Sequence, residues 1–185
     1  MRTPSRGRHR RPPAPALTLL WAGLLAPVLA AAGAIEGYLD ARFGMSAGQV
    51  LETVEASDQL ELLSNQVLGQ DRVIQAKRSR NWADSRVLYV LPGDRDHLAL
   101  VIETFPDRTD AAPIIEELKA HLGPPMSEKM AEQILQRMRR GLPQGVQKLT
   151  LWTDRSGDSN RMVRLLHFED HLAIEHLDPD LMAER

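Results

Sequence analysis

Along the chain, apolar and polar positions fall into blocks of different period, and each period predicts an element. "FGMSAGQVLETVE" sets Ser46 three residues before Gln49, the spacing at which the two side chains satisfy each other's free backbone donors. A helix therefore begins there, with Val50, Leu51 and Val54 as its apolar side, and fades around Ala56 to Asp58. "RVLYVL" and "HLALVIETF" are β-rich runs joined by Pro92, Gly93 and Asp94, which predicts a hairpin. Val87, Tyr89 and Leu91 alternate with Leu88 and Val90, so both faces of this sheet region are apolar and call for cover. Residues 59–75 have no decisive period: Leu60, Leu62, Leu63, Val67 and Leu68 fit a continued helix or a poor strand.

Two amphipathic helices come next. Asp110 caps the first, Ile114, Leu118 and Leu122 recur every four residues, and Gly123-Pro124-Pro125 stops it. Ser127 caps the second, whose stripe is Met130, Ile134 and Met138, read as core filling. Arg137, Arg139 and Arg140 suit its C-terminal end, and Gly141 and Pro143 terminate it. "VQKLTLWTD", "RMVRLLHF" and "HLAIEHL" then predict a three-stranded meander, and the tail from Asp178 reads as polar and frayed. The resulting expectation is an α+β fold: a mainly antiparallel sheet of about five or six strands with two or three amphipathic helices packed on one side.

The opening residues change the picture of where this fold works. Arg2, Arg6, Arg8, Arg10 and Arg11 precede an apolar run from about Ala16 that ends in small residues, the layout of a secretory signal. The expected organisation is a signal peptide over residues 1–34, cut near Ala32 or Ala34, one exported domain over 35–178, and a polar tail over 179–185. The alternative is an uncleaved inner-membrane anchor, since residues 16–35 approach the roughly 20 apolar residues of a spanning helix, although Pro27 and Gly33 interrupt them. No cysteine occurs, which excludes disulfides, thiolate metal sites and a lipidated N-terminal Cys.

Charge follows from the same division. The leader holds five of the 23 basic residues and none of the 25 acidic ones, leaving 18 against 25, a formal charge of −7. An acidic body argues against nucleic-acid binding, which needs a basic footprint.

Candidate chemistry is sparse. His167, His171 and His176, with Glu169, Asp170, Glu175 and Asp178 nearby, form the one grouping that could serve as a metal or acid–base site. Alternation on a strand points His171 and His176 to opposite faces, so the reading is a solvated sheet edge with no metal site. No zincin, nucleophile-elbow, phosphate-loop or S-x-x-K pattern occurs, and Ser46 in "GMSAG" is explained by capping. No catalytic, cofactor-binding or metal-binding residue is assigned, and no cofactor is expected. In "AKRSRNW", Lys77, Arg78 and Arg80 read as charges that keep a strand end solvated beside Trp82.

"FGMSAGQV", followed later by "LKAHLGPP", resembles the pattern of small exported bacterial envelope proteins with a Gly-Met-Ser helix cap, and is similar to the opening of the BamE/SmpA-like outer-membrane assembly accessory domain. Members of that family carry a lipidated Cys after the signal, which this chain lacks, and a shorter two-helix, three-stranded domain. The resemblance implies an exported α+β envelope protein. The expectation is thus a non-catalytic periplasmic binding or accessory domain whose partner is an envelope protein or small ligand, held on the sheet face that the helices leave uncovered. The alternative from another class is a metal-dependent or hydrolytic enzyme using the C-terminal His/Asp/Glu group. A membrane contact is expected only if the leader is retained.

Overall fold

The computed structural model describes residues 34–93, 96–106, 109–137, 142–154 and 160–183. The predicted signal segment through residue 33, Asp94 of the predicted turn, Met138 to Gly141 at the predicted end of the second amphipathic helix, and most of the loop before the "RMVRLLHF" strand lie outside them. In chain order the elements are β1 (Gly37–Tyr38), β2 (Ala41–Arg42), α1 (Ala47–Ala56), β3 (Leu60–Leu68), β4 (Asp71–Ser79), β5 (Asp84–Leu91), β6 (Leu100–Phe105), α2 (Ala111–Leu122), α3 (Glu128–Arg137), β7 (Lys148–Thr153), β8 (Met162–His167), β9 (Leu172–Leu177) and α4 (Pro179–Ala183).

The fold is α+β. Seven of these strands make one sheet in the order β3-β4-β5-β6-β9-β8-β7, antiparallel at each pairing, and β1-β2 form a separate small hairpin. The sheet is wider than expected because residues 59–75 take the strand alternative and not the continued helix. They form the β3-β4 hairpin around Gly69, whose φ of 68° suits glycine. Their period was hidden by a bulge between Leu62 and Ser64, which shifts the alternation midway along β3. As the edge strand, β3 also leaves Leu63, Val67 and Leu68 exposed.

Period-two alternation decides what each face carries. On one face Ile74 and Ala76 of β4, Val87, Tyr89 and Leu91 of β5, Val101 and Phe105 of β6, and Ile174 of β9 are buried in the main core. Val50 and Val54 of α1 and Ile114 and Leu118 of α2 close that core from above, so these two helices pack on one side. The α1 start is the predicted one: Ser46 caps the helix and the Gln49 side chain answers the Ser46 backbone.

On the opposite face, Leu149, Leu151, Leu166 and Ala173 form a smaller cluster against Ile134 and Leu135 of α3. Of the expected Met130, Ile134 and Met138 stripe, Ile134 packs, Met130 does not, and Met138 lies outside the described residues. Met130 is exposed, and α3 turns Ala131 inward with Ile134 and Leu135. The tail is more ordered than its polarity suggested. The buried Asp178 carboxylate accepts hydrogen bonds from the Asp180 and Leu181 backbone N–H groups, which starts α4 and seats Leu181 against the main core. Among the described residues no helix is long and apolar enough to cross a membrane.

Candidate functional site

The β1-β2 hairpin lies over the main-core face opposite α2, and a cavity of about 470 Å³ opens between them, in the size range of small-ligand sites. One wall is the four-residue repeat of α2, Ile114, Leu118 and Leu122. The other is Gly37, Tyr38, Leu39 and Asp40 of the hairpin, and the floor is Arg78, Glu103, Ile174 and His176.

The floor is a buried ion cluster. Arg78 continues the inward alternation of Ile74 and Ala76 and stands opposite Ser85, and Glu103 sits between Val101 and Phe105 on β6. Glu103 is 0% exposed. Arg80, just past β4, donates to it from Nη1 at 2.5 Å and from Nη2 at 3.0 Å, and the Ser85 hydroxyl donates to the same carboxylate. The Arg80 guanidinium also lies 5.1 Å from the Trp82 ring centroid and 5.2 Å from that of Phe105. Glu117 of α2 accepts from Arg78 at Oε1 and from Arg80 at Oε2, each at 3.1 Å, which ties the helix to the floor. Arg78 further donates to the Tyr38 hydroxyl and to Gln59, both at 3.1 Å. The expectation that Arg78 and Arg80 keep a strand end solvated is therefore overturned: both side chains are more than nine-tenths buried, because carboxylates wait for them inside.

Electrostatics fix the protonation states. Burial pushes the Glu103 carboxyl up, but the Arg80 hydrogen bonds and charge, with Ser85 and Arg78, outweigh it and hold it below the usual carboxylate range. Burial, and then the charge of Glu103, push the Tyr38 phenol well above its ordinary value. His176 is forced the other way, to about 4, chiefly by burial, which Glu103 and the Gly37 backbone only partly oppose. Its ring meets Tyr38 edge-on at 5.1 Å. Among the described residues neither nitrogen of His176, nor Nε of Arg78, nor the Tyr89 hydroxyl has a hydrogen-bond partner of good geometry.

The C-terminal histidines do not come together. His171 pairs with Asp170 at 2.6 Å and stacks on Phe168 at 4.2 Å, at the β8-β9 corner. His167 stands opposite Lys148, and burial and that lysine lower its pKa. His176 stands opposite Val163, four residues along β8 from His167, or roughly 13 Å. Asp178 is taken by Arg161 and by the α4 cap, and Glu175 by Arg164. No group of three potential metal ligands occurs among the described residues.

A second surface is the sheet face away from α1 and α2. Val73, Val90, Leu100, Leu177 and Met162 align in one row across β4, β5, β6, β9 and β8, with Leu88 and Ile102 paired in the next. All are half-buried, and α3 covers only the β7-β8 end of this face.

The groove was not read from the sequence, though one signal for it was present: a glutamate at an inward position of the apolar run "LVIETF", with arginines two apart in "KRSR" to meet it. The residues that resemble the BamE/SmpA-like opening are the N-cap of α1, a local device that many helices share. In comparison with known proteins, the chain matches no family model, no curated protein and no solved structure.

Proposed function

We propose that the protein is a non-catalytic accessory domain of the bacterial envelope, exported by its leader into the periplasm, that holds a small ligand in the groove between the β1-β2 hairpin and α2. The observation that carries this reading is the groove itself: an apolar wall over a floor of fixed charges, with polar groups left unpartnered beneath it. Its carboxylates suit holding better than proton transfer, because Glu103 and Glu117 are each bound by guanidinium groups and Glu103 is kept ionised. Native mass spectrometry of the protein recovered from the envelope tests the reading. A bound small molecule should be present and should be lost in Leu122→Trp, which fills the groove. Its absence from the unaltered protein would count against it.

A second reading has a protein partner docking on the open face, supported by the apolar row from Val73 to Met162. Leu88→Glu would abolish such a complex and leave the groove ligand in place. Export has its own check in the intact mass of the native chain. A soluble species starting near Gly33 or Ile35 supports a cleaved leader, and a full-length species found only with membrane supports an anchored domain.

A further inference from the structure

We propose, building on the groove reading above, that its ligand is an uncharged amphiphile: an apolar body against α2 and a head that both donates and accepts hydrogen bonds, such as an amide, set between Arg78 and His176. The charge balance comes first. Arg78 and Arg80 are matched by Glu103 and Glu117 across contacts of 2.5 to 3.9 Å, so the floor has no net charge to offer a ligand anion. A carboxylate or phosphate entering there meets two carboxylates already in place, and the exposed Asp40 on the rim adds a third. A cation meets two guanidinium groups held by those same carboxylates.

The unpartnered groups set the head. Arg78 is 7% exposed and its Nη atoms are engaged by Tyr38, Gln59 and Glu117, which leaves Nε as a donor without an acceptor. His176, also 7% exposed, is neutral at physiological pH; its donor nitrogen faces the Gly37 backbone, and the other nitrogen is left as an acceptor. An amide supplies the complement to both, and a buried polar group that gains its partner recovers the cost of having lacked one. Ile114, Leu118 and Leu122 supply the apolar wall for the remainder of the molecule.

Access runs past the hairpin. Tyr38 covers His176 edge-on, and next to it Leu39 is held at a φ of 51°, a left-handed conformation that a leucine rarely adopts, with its side chain exposed on the groove's lip. Tyr38 also lies over Arg78, whose Cζ is 5.7 Å from its ring centroid, so a ligand head reaches these nitrogens only where the two-strand hairpin gives way.

A matched charge series tests the ligand class on the cleaved, full exported chain: N-acetyl-leucine amide, N-acetyl-leucine and leucine amide, which share one side chain and are neutral, anionic and cationic. Methyl signals of Ile114, Leu118 and Ile174 and the His176 ring signals are followed by NMR as each is added. The expected result is saturable shifts at these positions, with the neutral compound binding at least tenfold tighter than either charged one. Equal or tighter binding of a charged member at the same signals overturns the ligand class and leaves the groove reading standing. No shift at these signals from any of the three up to millimolar concentration overturns both.

Discussion

Arg80 grips Glu103 with two hydrogen bonds, Nη1 to Oε1 at 2.5 Å and Nη2 to Oε2 at 3.0 Å, while the same guanidinium stacks on Trp82 and Phe105. This pair joins the end of β4 to the middle of β6 and carries Glu117 of α2 with it. Removing one partner leaves the other charge buried and unpaired, so Glu103→Ala should destabilise the fold by about 3–5 kcal/mol. Arg80→Ala should cost a similar amount, and the double variant less than the sum. Urea unfolding of the three variants measures this, and strict additivity would show that the contact carries no coupling.

Acid should weaken the fold in two stages. His176 has its folded pKa depressed to about 4 from an ordinary 6.5, so between those values the unfolded chain binds more protons and stability falls as pH falls. For a shift of this size the loss is about 3 kcal/mol across the window. Glu103, depressed below its ordinary 4.5, contributes stability that is present above that value and is lost at still lower pH. His167 shifts in the same direction as His176, so the contrast must be made by substitution. His176→Phe, which replaces an unpartnered polar ring by an apolar one facing Tyr38, should stay within about 1 kcal/mol of the parent at pH 7. It should exceed the parent's stability at pH 4.5. Parallel stability profiles for the two proteins between pH 6.5 and 4 would contradict the assignment.

Legibility of this fold in the sequence varied with how local the cause was. The α1 cap, the α2 stripe ending at Gly123, the β5-β6 hairpin and the C-terminal meander rest on neighbours within a few residues, and all appear as expected. The β3-β4 hairpin was obscured by one bulge at Leu62/Ser64, which breaks the alternation that marks a strand. The ion cluster depends on partners 23 to 39 positions apart, Arg80 with Glu103 and Arg78 with Glu117. Taken alone, each of those residues reads as a solvated surface charge, and only the sheet register makes them a floor.

Gly37 is the tightest point of the groove's hairpin. A Cβ built there would stand 2.0 Å from the Ala41 carbonyl oxygen and 2.8 Å from the Arg42 Cα, both backbone atoms that cannot give way separately. Gly37→Ala should therefore break the Gly37–Arg42 pairing and release Tyr38 from Arg78, at a cost of about 1–3 kcal/mol. The sheet lies beneath and should keep its amide hydrogen-exchange protection, while the Tyr38 and Phe43 amides lose theirs. Unchanged protection at Tyr38 would show that the hairpin tolerates the extra carbon.

Leu39 offers the opposite experiment, because its strain can be removed without opening the hairpin. At a φ of 51° its Cβ crowds its own backbone, a cost of roughly 1–2 kcal/mol that Asn bears more readily than Leu. The side chain is 42% exposed, so little apolar burial is lost on substitution. Leu39→Asn should stabilise the domain by about 1 kcal/mol, seen as a higher urea midpoint at unchanged slope. If Leu39 also serves as the apolar lip over a ligand, the same variant should weaken binding of N-acetyl-leucine amide several-fold while the fold becomes more stable. Stability and binding moving in opposite directions at one residue would mark the strain as functional, and a rise in both would make Leu39 a conformational defect with no part in the groove.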